Sequence, residues 1–115
     1  MGIDQPLIAA ADLIAGYKQV AARAHAAGIK IFIATLLPIK GAFYYSADKE
    51  AMRRSVNNWI RRNRDFDGVV DFETTLSDPL EPTQLKVEFD SGDHLHPGPR
   101  GYRTLGQSID LKVFR

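Results

Sequence analysis

The 115-residue sequence predicts an α/β layered domain with few parallel strands. Three observations support this prediction. A stretch with helical periodicity is followed by a glycine and a short apolar run, and a second stretch of the same kind is followed by a second short run. A third stretch with helical periodicity then follows. Helices and strands that alternate in this order favour parallel strands joined by right-handed crossovers. At this length one hydrophobic core is sufficient, so we expect a single domain over residues 1–115.

The first unit is a helix followed by a strand. Residues 6–27 carry Leu13 and Tyr17 at helical spacing in an alanine-rich stretch, which predicts an amphipathic helix. Gly28 is a typical residue for ending a helix. Residues 29–35 then form a β-branched and aromatic run of the kind found in buried parallel strands, so we expect a strand there.

The second unit begins with an aromatic loop over residues 38–46, in which Phe43, Tyr44 and Tyr45 are consecutive. Ser46 has a side chain suited to capping a helix, and we expect that helix to run to about residue 63. Its apolar face is predicted to contain Met52, Val56, Trp59 and Ile60. The helix and its end also carry five arginines that we expect on a solvated face, namely Arg53, Arg54, Arg61, Arg62 and Arg64.

The last third of the chain is predicted to hold a strand, a long ordered loop and a helix. Residues 67–72 form the second apolar run, and the loop that follows ends in the acidic segment 88–93. Gly98 and Pro99 favour the start of a final helix, with Tyr102, Leu105 and Ile109 on one face. Two strands make a poor sheet, because an unpaired apolar edge invites pairing with another chain. We therefore expect a homo-oligomer.

Composition excludes several classes of partner. A formal net charge of +1 and a pI of about 8.0 do not indicate nucleic-acid binding. No apolar run approaches the roughly 20 residues needed to span a bilayer, so we expect no membrane span. We recognise no signal peptide, which leaves the location open, secretion of a parent protein included. The absence of cysteine leaves Ser, His, Asp and Glu as the candidate reactive groups.

Asp93 and His96 are the candidate catalytic residues. They lie three positions apart in a predicted loop, and if the loop turns, the carboxylate can hold Nδ1 of the imidazole and leave Nε2 free to accept a proton. That arrangement is the general-base half of a hydrolase. Two other interpretations stay open on this spacing: a surface loop with ordinary histidines, and a metal site formed by Asp93, His94 and His96.

The block Gly92-Asp93-His94-Leu95-His96-Pro97, followed by Gly101-Tyr102, resembles the last motif of the SGNH/GDSL hydrolases, a lipase and acylhydrolase family in which an Asp-x-x-His-Pro stretch supplies the acid and base of a Ser-His-Asp triad. The resemblance covers essentially the whole chain. Upstream it includes Ala26-Ala27-Gly28 with the strand that ends in Ala34-Thr35-Leu36-Leu37-Pro38, the tyrosine loop, residues 56–61, Val70-Asp71-Phe72 and Asp78-Pro79.

The resemblance implies a three-layer α/β/α sandwich, SGNH-hydrolase-like and flavodoxin-like, here truncated to few parallel strands as the C-terminal portion of the family's domain. It also implies a serine-type carboxylic-ester hydrolase in which His96 is the general base and Asp93 orients it, with no cofactor. Lipid, acetylated-sugar and small-molecule esters are the substrate classes. Tyr44 and Tyr45, together with Phe43, could line the substrate pocket.

The sequence also departs from the family's pattern. The Gly-Asp-Ser nucleophile segment and the oxyanion-hole blocks are not identifiable, so we expect the nucleophile to come from residues outside this chain. Since a missing oxyanion donor costs on the order of a hundred- to thousandfold in rate, the chain alone is predicted to be weak or inactive. Whether it is an enzyme by itself is left open. The alternative is a non-catalytic, self-associating remnant or interaction module.

Overall fold

The computed structural model of the chain describes residues 9–43 and 45–114. It has an α/β fold, as the sequence predicts, with a parallel pair of strands and a separate antiparallel hairpin. In chain order the elements are α1 (Ala10–Ala26), β1 (Phe32–Ala34), α2 (Ala47–Arg62), β2 (Gly68–Val70), α3 (Phe72–Leu76), β3 (Ser77–Asp78), β4 (Glu81–Leu85), a 3-10 turn (Val87–Phe89), α4 (Pro99–Ser108) and a second 3-10 turn (Leu111–Phe114).

Helix α1 ends where the sequence predicts. Gly28 follows it at φ 75°, a left-handed conformation that glycine adopts without steric cost, and its N–H bonds the carbonyl of His25. The first predicted helical positions, 6–8, lie outside the described residues. Tyr17 of α1 stacks on Trp59 of α2 with ring centroids 6.3 Å apart, so the two helices pack on each other.

Strands β1 and β2 pair in parallel, with Ile33 opposite Val69. Both strands are shorter than predicted, because side chains take over the backbone partners at their ends. At the start of β1, a carboxylate oxygen of Asp67 accepts the N–H of Ile31 at 2.7 Å. Beyond its end, the side-chain amide of Asn57 bonds both the N–H and the C=O of Leu36 at 2.7 and 2.9 Å.

Helix α2 starts as predicted, because Ser46 Oγ accepts the N–H of Lys49 at 3.1 Å. Val56 and Ile60 are fully buried on its apolar face. The prediction of a solvated arginine face is wrong for Arg53, which is buried, whereas Arg54, Arg61, Arg62 and Arg64 are exposed. Arg53 is held in the interior by Glu50 of the same helix and by Glu73 of the segment that follows β2.

The long loop predicted after residue 78 is also corrected. A short helix, α3, follows β2 directly because Asp71 caps it, accepting the N–H of Thr74 at 3.2 Å. Strands β3 and β4 then form an antiparallel hairpin with Ser77 opposite Leu85. The Pro79 and Pro82 region that suggested an irregular loop is therefore the turn and edge of this hairpin, positions at which proline is tolerated in sheets.

Helix α4 begins at Pro99 after Gly98, as predicted. Its inner face joins a core in which Leu105 packs with Leu76, Leu85 and Phe89. Tyr102, expected on that face, is instead 57% exposed, because the close packing of this helix on the neighbouring turn is made by a glycine, Gly101. No helix in the described part of the chain is long and apolar enough to cross a membrane.

Candidate functional site

The candidate residues lie in a closed loop, residues 90–97, here called the dyad loop. An antiparallel bridge between Asp90 and Pro97 joins its two ends. The N–H of Ser91 bonds the carbonyl of His96 at 3.0 Å, and the N–H of Gly98 bonds the carbonyl of Phe89 at 2.7 Å. Since Phe89 belongs to the core and Gly98 begins α4, the loop is fixed at both ends.

Within this loop the structure brings Asp93 and His96 together. Asp93 Oδ2 lies 2.7 Å from His96 Nδ1. The other carboxylate oxygen, Oδ1, accepts the N–H groups of Leu95 and His96 and the hydroxyl of Ser91, each at 2.9 Å. These bonds hold the pKa of Asp93 well below its ordinary value. The largest contribution comes from the His96 N–H, followed by the His96 ring and then the Leu95 N–H. The carboxylate therefore stays ionised and acts only as a hydrogen-bond acceptor toward Nδ1.

The outer nitrogen of His96 faces solvent. The His96 side chain is 63% exposed, and among the described residues Nε2 makes no hydrogen bond. Each of the five serines of the chain lies elsewhere or is engaged away from Nε2. Ser91, the serine nearest in sequence, donates to Asp93, while Ser46 caps α2 and Ser108 donates to the carbonyl of Leu105. Among the described residues, Nε2 of His96 is thus exposed and has no serine hydroxyl bonded to it.

A second Asp/His pair lies in the same loop, and the sequence reasoning missed it. His94 Nδ1 is 2.7 Å from Asp90 Oδ2, and Asp90 is a buried carboxylate with 7% of its side chain exposed. Asp90 Oδ1 also accepts the N–H groups of Gly92 and His94 at 2.8 and 3.0 Å. The sequence shows the two residues four positions apart. This spacing alone does not predict the contact, because the contact depends on the conformation of the loop between them.

The metal interpretation is not supported by this geometry. Nδ1 of His94 and Nδ1 of His96 are directed at different carboxylates, those of Asp90 and Asp93. Within residues 9–43 and 45–114, no three His, Asp or Glu side chains come together in a way that could hold a metal ion. The third histidine, His25, lies in α1 and bonds Asp67 through Nε2 at 2.8 Å on the surface.

The aromatic loop lies beside the dyad loop. A Cβ atom on Gly41 would come within 2.9 Å of His94 Cγ, so the glycine backbone and the imidazole ring are in direct contact. Tyr45 is half-buried, with its N–H bonded to the carbonyl of Ala42 at 3.1 Å. Tyr44, the other predicted substrate-binding residue, lies outside the described residues. The loop follows the carboxyl end of β1, the edge at which parallel sheets bind ligands.

Comparison with family models decides the family. The model described as GDSL-like Lipase/Acylhydrolase family matches residues 2–104, which include both β1 and the dyad loop. The chain belongs to this family. No curated protein is matched by the chain. Membership in the GDSL-like family makes this a hydrolase-family α/β domain, and ester substrates are the class that the family suggests.

This GDSL-like chain also has a polar groove of about 690 Å³ between α2 and the α3/β3/β4 segment. Arg53 bonds Glu50 at 2.8 Å and also bonds Glu73. Burial lowers the pKa of Arg53, but these carboxylates outweigh it and raise the pKa above its ordinary value. Arg61 spans Glu73 and Asp71 on the same wall. Because Arg53 and Arg61 of α2 both bond Glu73, the network fixes α2 to the segment after β2.

Proposed function

We propose that this chain carries the acid and base part of a serine-type carboxylic-ester hydrolase site, with His96 as the general base and Asp93 as the group that orients it. The observation that carries the proposal is the 2.7 Å contact between Asp93 Oδ2 and His96 Nδ1, with Nε2 exposed and unbonded among the described residues. An ionised carboxylate at Nδ1 favours the neutral tautomer that has its proton on Nδ1 and a lone pair on Nε2. Membership in the GDSL-like lipase/acylhydrolase family supports the same chemistry.

In the proposed reaction, His96 Nε2 takes the proton of a serine hydroxyl as the serine oxygen bonds the ester carbonyl carbon. The imidazolium then gives that proton to the departing alkoxide, so that the alcohol leaves and the acyl group remains on serine. Water repeats the two steps, with His96 again as base, and releases the carboxylic acid. Asp93 remains ionised throughout and stabilises the imidazolium.

The nucleophilic serine is proposed to come from residues outside this sequence. None of the described serine hydroxyls bonds His96, and the only one in the dyad loop, Ser91, donates to Asp93 at 2.9 Å. The substrate is proposed to be a lipid, an acetylated sugar or a small-molecule ester. The aromatic loop, with Tyr44 and Tyr45, is proposed as its apolar contact. No cofactor takes part in this mechanism.

Hydrolysis of p-nitrophenyl acetate by the purified chain tests the proposal. An exposed imidazole with a free Nε2 can attack an activated ester or activate water, so a slow release of nitrophenol is expected in the wild type and is reduced in His96→Ala. A serine-directed phosphonate is expected to leave all five serines unmodified by mass spectrometry. His25→Ala is the matched control, since His25 is also an exposed imidazole paired with an aspartate.

The two parts of the proposal fail separately. Equal rates for wild type and His96→Ala would overturn the role of His96 as base. A phosphonate adduct on a serine of this chain would leave His96 as base and overturn the external nucleophile.

The second candidate is self-association, with or without catalysis. Parallel strands are normally covered on both faces, yet every residue of β1 and β2 is half-exposed. Backbone groups of Ile31 and Thr35 bond to β2 or to the chain beside it. Because successive residues of a strand alternate in direction, the backbone groups of Phe32 and Ala34 face the opposite edge of β1. Ile29, just before this strand, is 59% exposed. We propose that a second copy of the chain covers this edge, giving a homo-oligomer.

Light scattering after size exclusion at micromolar concentration tests self-association. Ile29→Glu is expected to shift the wild-type oligomer toward monomer, because it places a charge beside the exposed edge. Leu80→Glu is the matched control: Leu80 is 93% exposed, but on the distant β3/β4 hairpin. A well-folded wild-type monomer would contradict this candidate and leave the catalytic proposal untouched.

A further inference from the structure

His94 has a backbone conformation that a non-glycine residue seldom adopts. Its φ is 59°, and it is the sole non-glycine residue with a positive φ within the described ranges 9–43 and 45–114. This left-handed conformation carries a steric cost for a residue with a Cβ atom. Such a conformation persists where the surroundings determine it, and these sites are often functional.

The surroundings that fix His94 come from Asp90. One carboxylate oxygen lies 2.7 Å from His94 Nδ1, and the other accepts the His94 N–H at 3.0 Å. Asp90 is itself buried and belongs to the bridge that closes the loop. Both the backbone and the ring of His94 are therefore held by one carboxylate.

The ring held by Asp90 lies against the aromatic loop. Gly41 has φ 101°, and a Cβ atom there would be 2.9 Å from Cγ and 3.1 Å from Cβ and Cδ2 of His94. A glycine is therefore favoured at position 41 for two reasons. Its left-handed backbone conformation disfavours a residue with a Cβ atom, and the imidazole of His94 leaves no room for that atom. Two left-handed residues that are far apart in sequence meet at this point, which joins the aromatic loop to the dyad loop.

The aromatic loop has further fixed points among the described residues, including the buried Pro38. The N–H of Lys40 bonds the carbonyl of Thr83 at 3.0 Å, and Ala42 is buried. These contacts attach the loop to β4 and to the interior, whereas the contact with His94 attaches it to the chain that carries His96. His94 is two residues from His96, so this contact links the aromatic loop to the segment that carries His96.

We propose that His94 is a positioning residue: held by Asp90, its imidazole fixes Gly41 and with it the aromatic loop, so that the loop forms one wall of the substrate site beside His96. The positioning is a property of the two loops. Only the identity of the wall as a substrate contact rests on the proposed ester hydrolase function. The wall's chemistry, tyrosine and phenylalanine rings, fits an ester with an apolar or aromatic group.

A double-mutant cycle tests the contact between the loops. Gly41→Ala is expected to destabilise the chain in urea unfolding, by strain at φ 101° and by the clash with His94. In a His94→Gly background the clash is absent, so the same substitution is expected to cost less. Identical costs in both backgrounds would mean that the ring does not press on Gly41, and the proposal would be wrong.

Nuclear magnetic resonance tests the positioning itself. His94→Asn keeps a residue that tolerates left-handed φ and a side-chain donor for Asp90, but it removes the ring. The amide signals of Gly41, Ala42 and Tyr45 are expected to lose the ring-current shift of the imidazole, while the His96 ring signals stay in place. Unchanged aromatic-loop signals would overturn the proposal. A shift of the His96 ring signals would show disruption of the dyad loop itself, which the proposal excludes.

The substrate-wall part is tested with acetanilide, an uncleaved analogue of phenyl acetate, titrated into the same samples. Signals of Tyr45 and His96 are expected to move together and to saturate at one concentration in the wild type. In His94→Asn the apparent dissociation constant is expected to rise several-fold. If acetanilide moves neither signal while the ring-current result holds, the wall and the ester site are refuted and the positioning role stands.

Discussion

The side-chain amide of Asn57 occupies the place of a neighbouring strand beside Leu36, accepting its N–H at 2.7 Å and donating to its carbonyl at 2.9 Å. Asn57 is buried, so no solvent replaces these bonds when the amide is removed. The contact fixes the chain where it leaves β1 and turns toward the aromatic loop.

Asn57→Ala is expected to lower the free energy of unfolding by about 2–3 kcal/mol, since two buried backbone groups lose their partner. Asn58→Ala is the matched control, because Asn58 is exposed and neighbours Asn57 on the same helix. Both variants replace asparagine by alanine inside the same helix, so the change in helix propensity is the same in each. The difference between their free energies of unfolding in urea therefore measures the contact with Leu36. Equal stability of the two variants would refute the structural role of this amide.

Acid should weaken the link between α2 and the segment after β2. Burial acts to raise the pKa of Asp71, but hydrogen bonds from Arg61, Thr74 and Thr35 outweigh it and lower the pKa to about 2. Because the folded pKa lies below the unfolded value, the stabilisation is complete above about pH 5 and is lost as the pH falls toward 2. After discounting for the exposure of this pair, about 1 kcal/mol is expected.

Denaturation curves between pH 2 and 6 measure this effect. Asp71→Asn is expected to flatten the pH dependence, whereas Asp12→Asn removes the same charge from an exposed site on α1 and should leave it nearly as steep as in the wild type. If the stability of Asp71→Asn depended on pH as steeply as that of the wild type, other carboxylates would account for the loss of stability in acid.

The two glycines of α4 should respond in opposite directions to alanine. A Cβ atom on Gly101 would lie 2.6 Å from the carbonyl oxygen of Phe89, whereas a Cβ atom on Gly106 would meet nothing within 4 Å. Gly101→Ala is therefore expected to destabilise the chain by about 1–3 kcal/mol through overpacking. Gly106→Ala is expected to stabilise it by about 0.5–1 kcal/mol through helix propensity. Two changes of the same sign would contradict the close packing of α4 on Phe89.

Asp93 should determine which nitrogen of neutral His96 carries the proton. In the wild type the ionised carboxylate is expected to accept from Nδ1–H, which leaves Nε2 of the neutral ring unprotonated. In Asp93→Asn, the amide oxygen can keep the backbone N–H groups of Leu95 and His96, which turns the NH₂ group toward Nδ1 and favours a proton on Nε2. Long-range proton–nitrogen correlation spectra of the ring measure the tautomer, and an unchanged tautomer would contradict the orienting role of Asp93.

Features fixed by neighbouring residues were predictable from the sequence. Ser46 caps α2, Gly28 ends α1 and Gly98 precedes α4 because each acts on backbone groups within a few positions. The Asp93/His96 contact belongs to the same class, since its partners are three residues apart. Periodicity and capping rules describe contacts of this range.

Features fixed by remote partners were not predictable. The burial of Arg53 depends on Glu73, twenty positions away, and its charge alone suggested a solvated face. The same holds for Gly41 and His94, whose contact requires knowledge of where both loops lie. The β3/β4 hairpin was missed because its prolines suggest irregular chain, although they occupy the turn and edge of a hairpin.

The hydrogen bonds of the dyad loop are local in sequence. Every hydrogen bond that orients Asp93 and His96 comes from residues 90–97, and the bridge at its ends spans the same interval. Loops of this length close on the order of tens of nanoseconds and at small entropic cost. The geometry of the Asp93/His96 pair can therefore form from local chain alone, so substitutions in segments that do not contact the dyad loop are expected to leave this geometry unchanged.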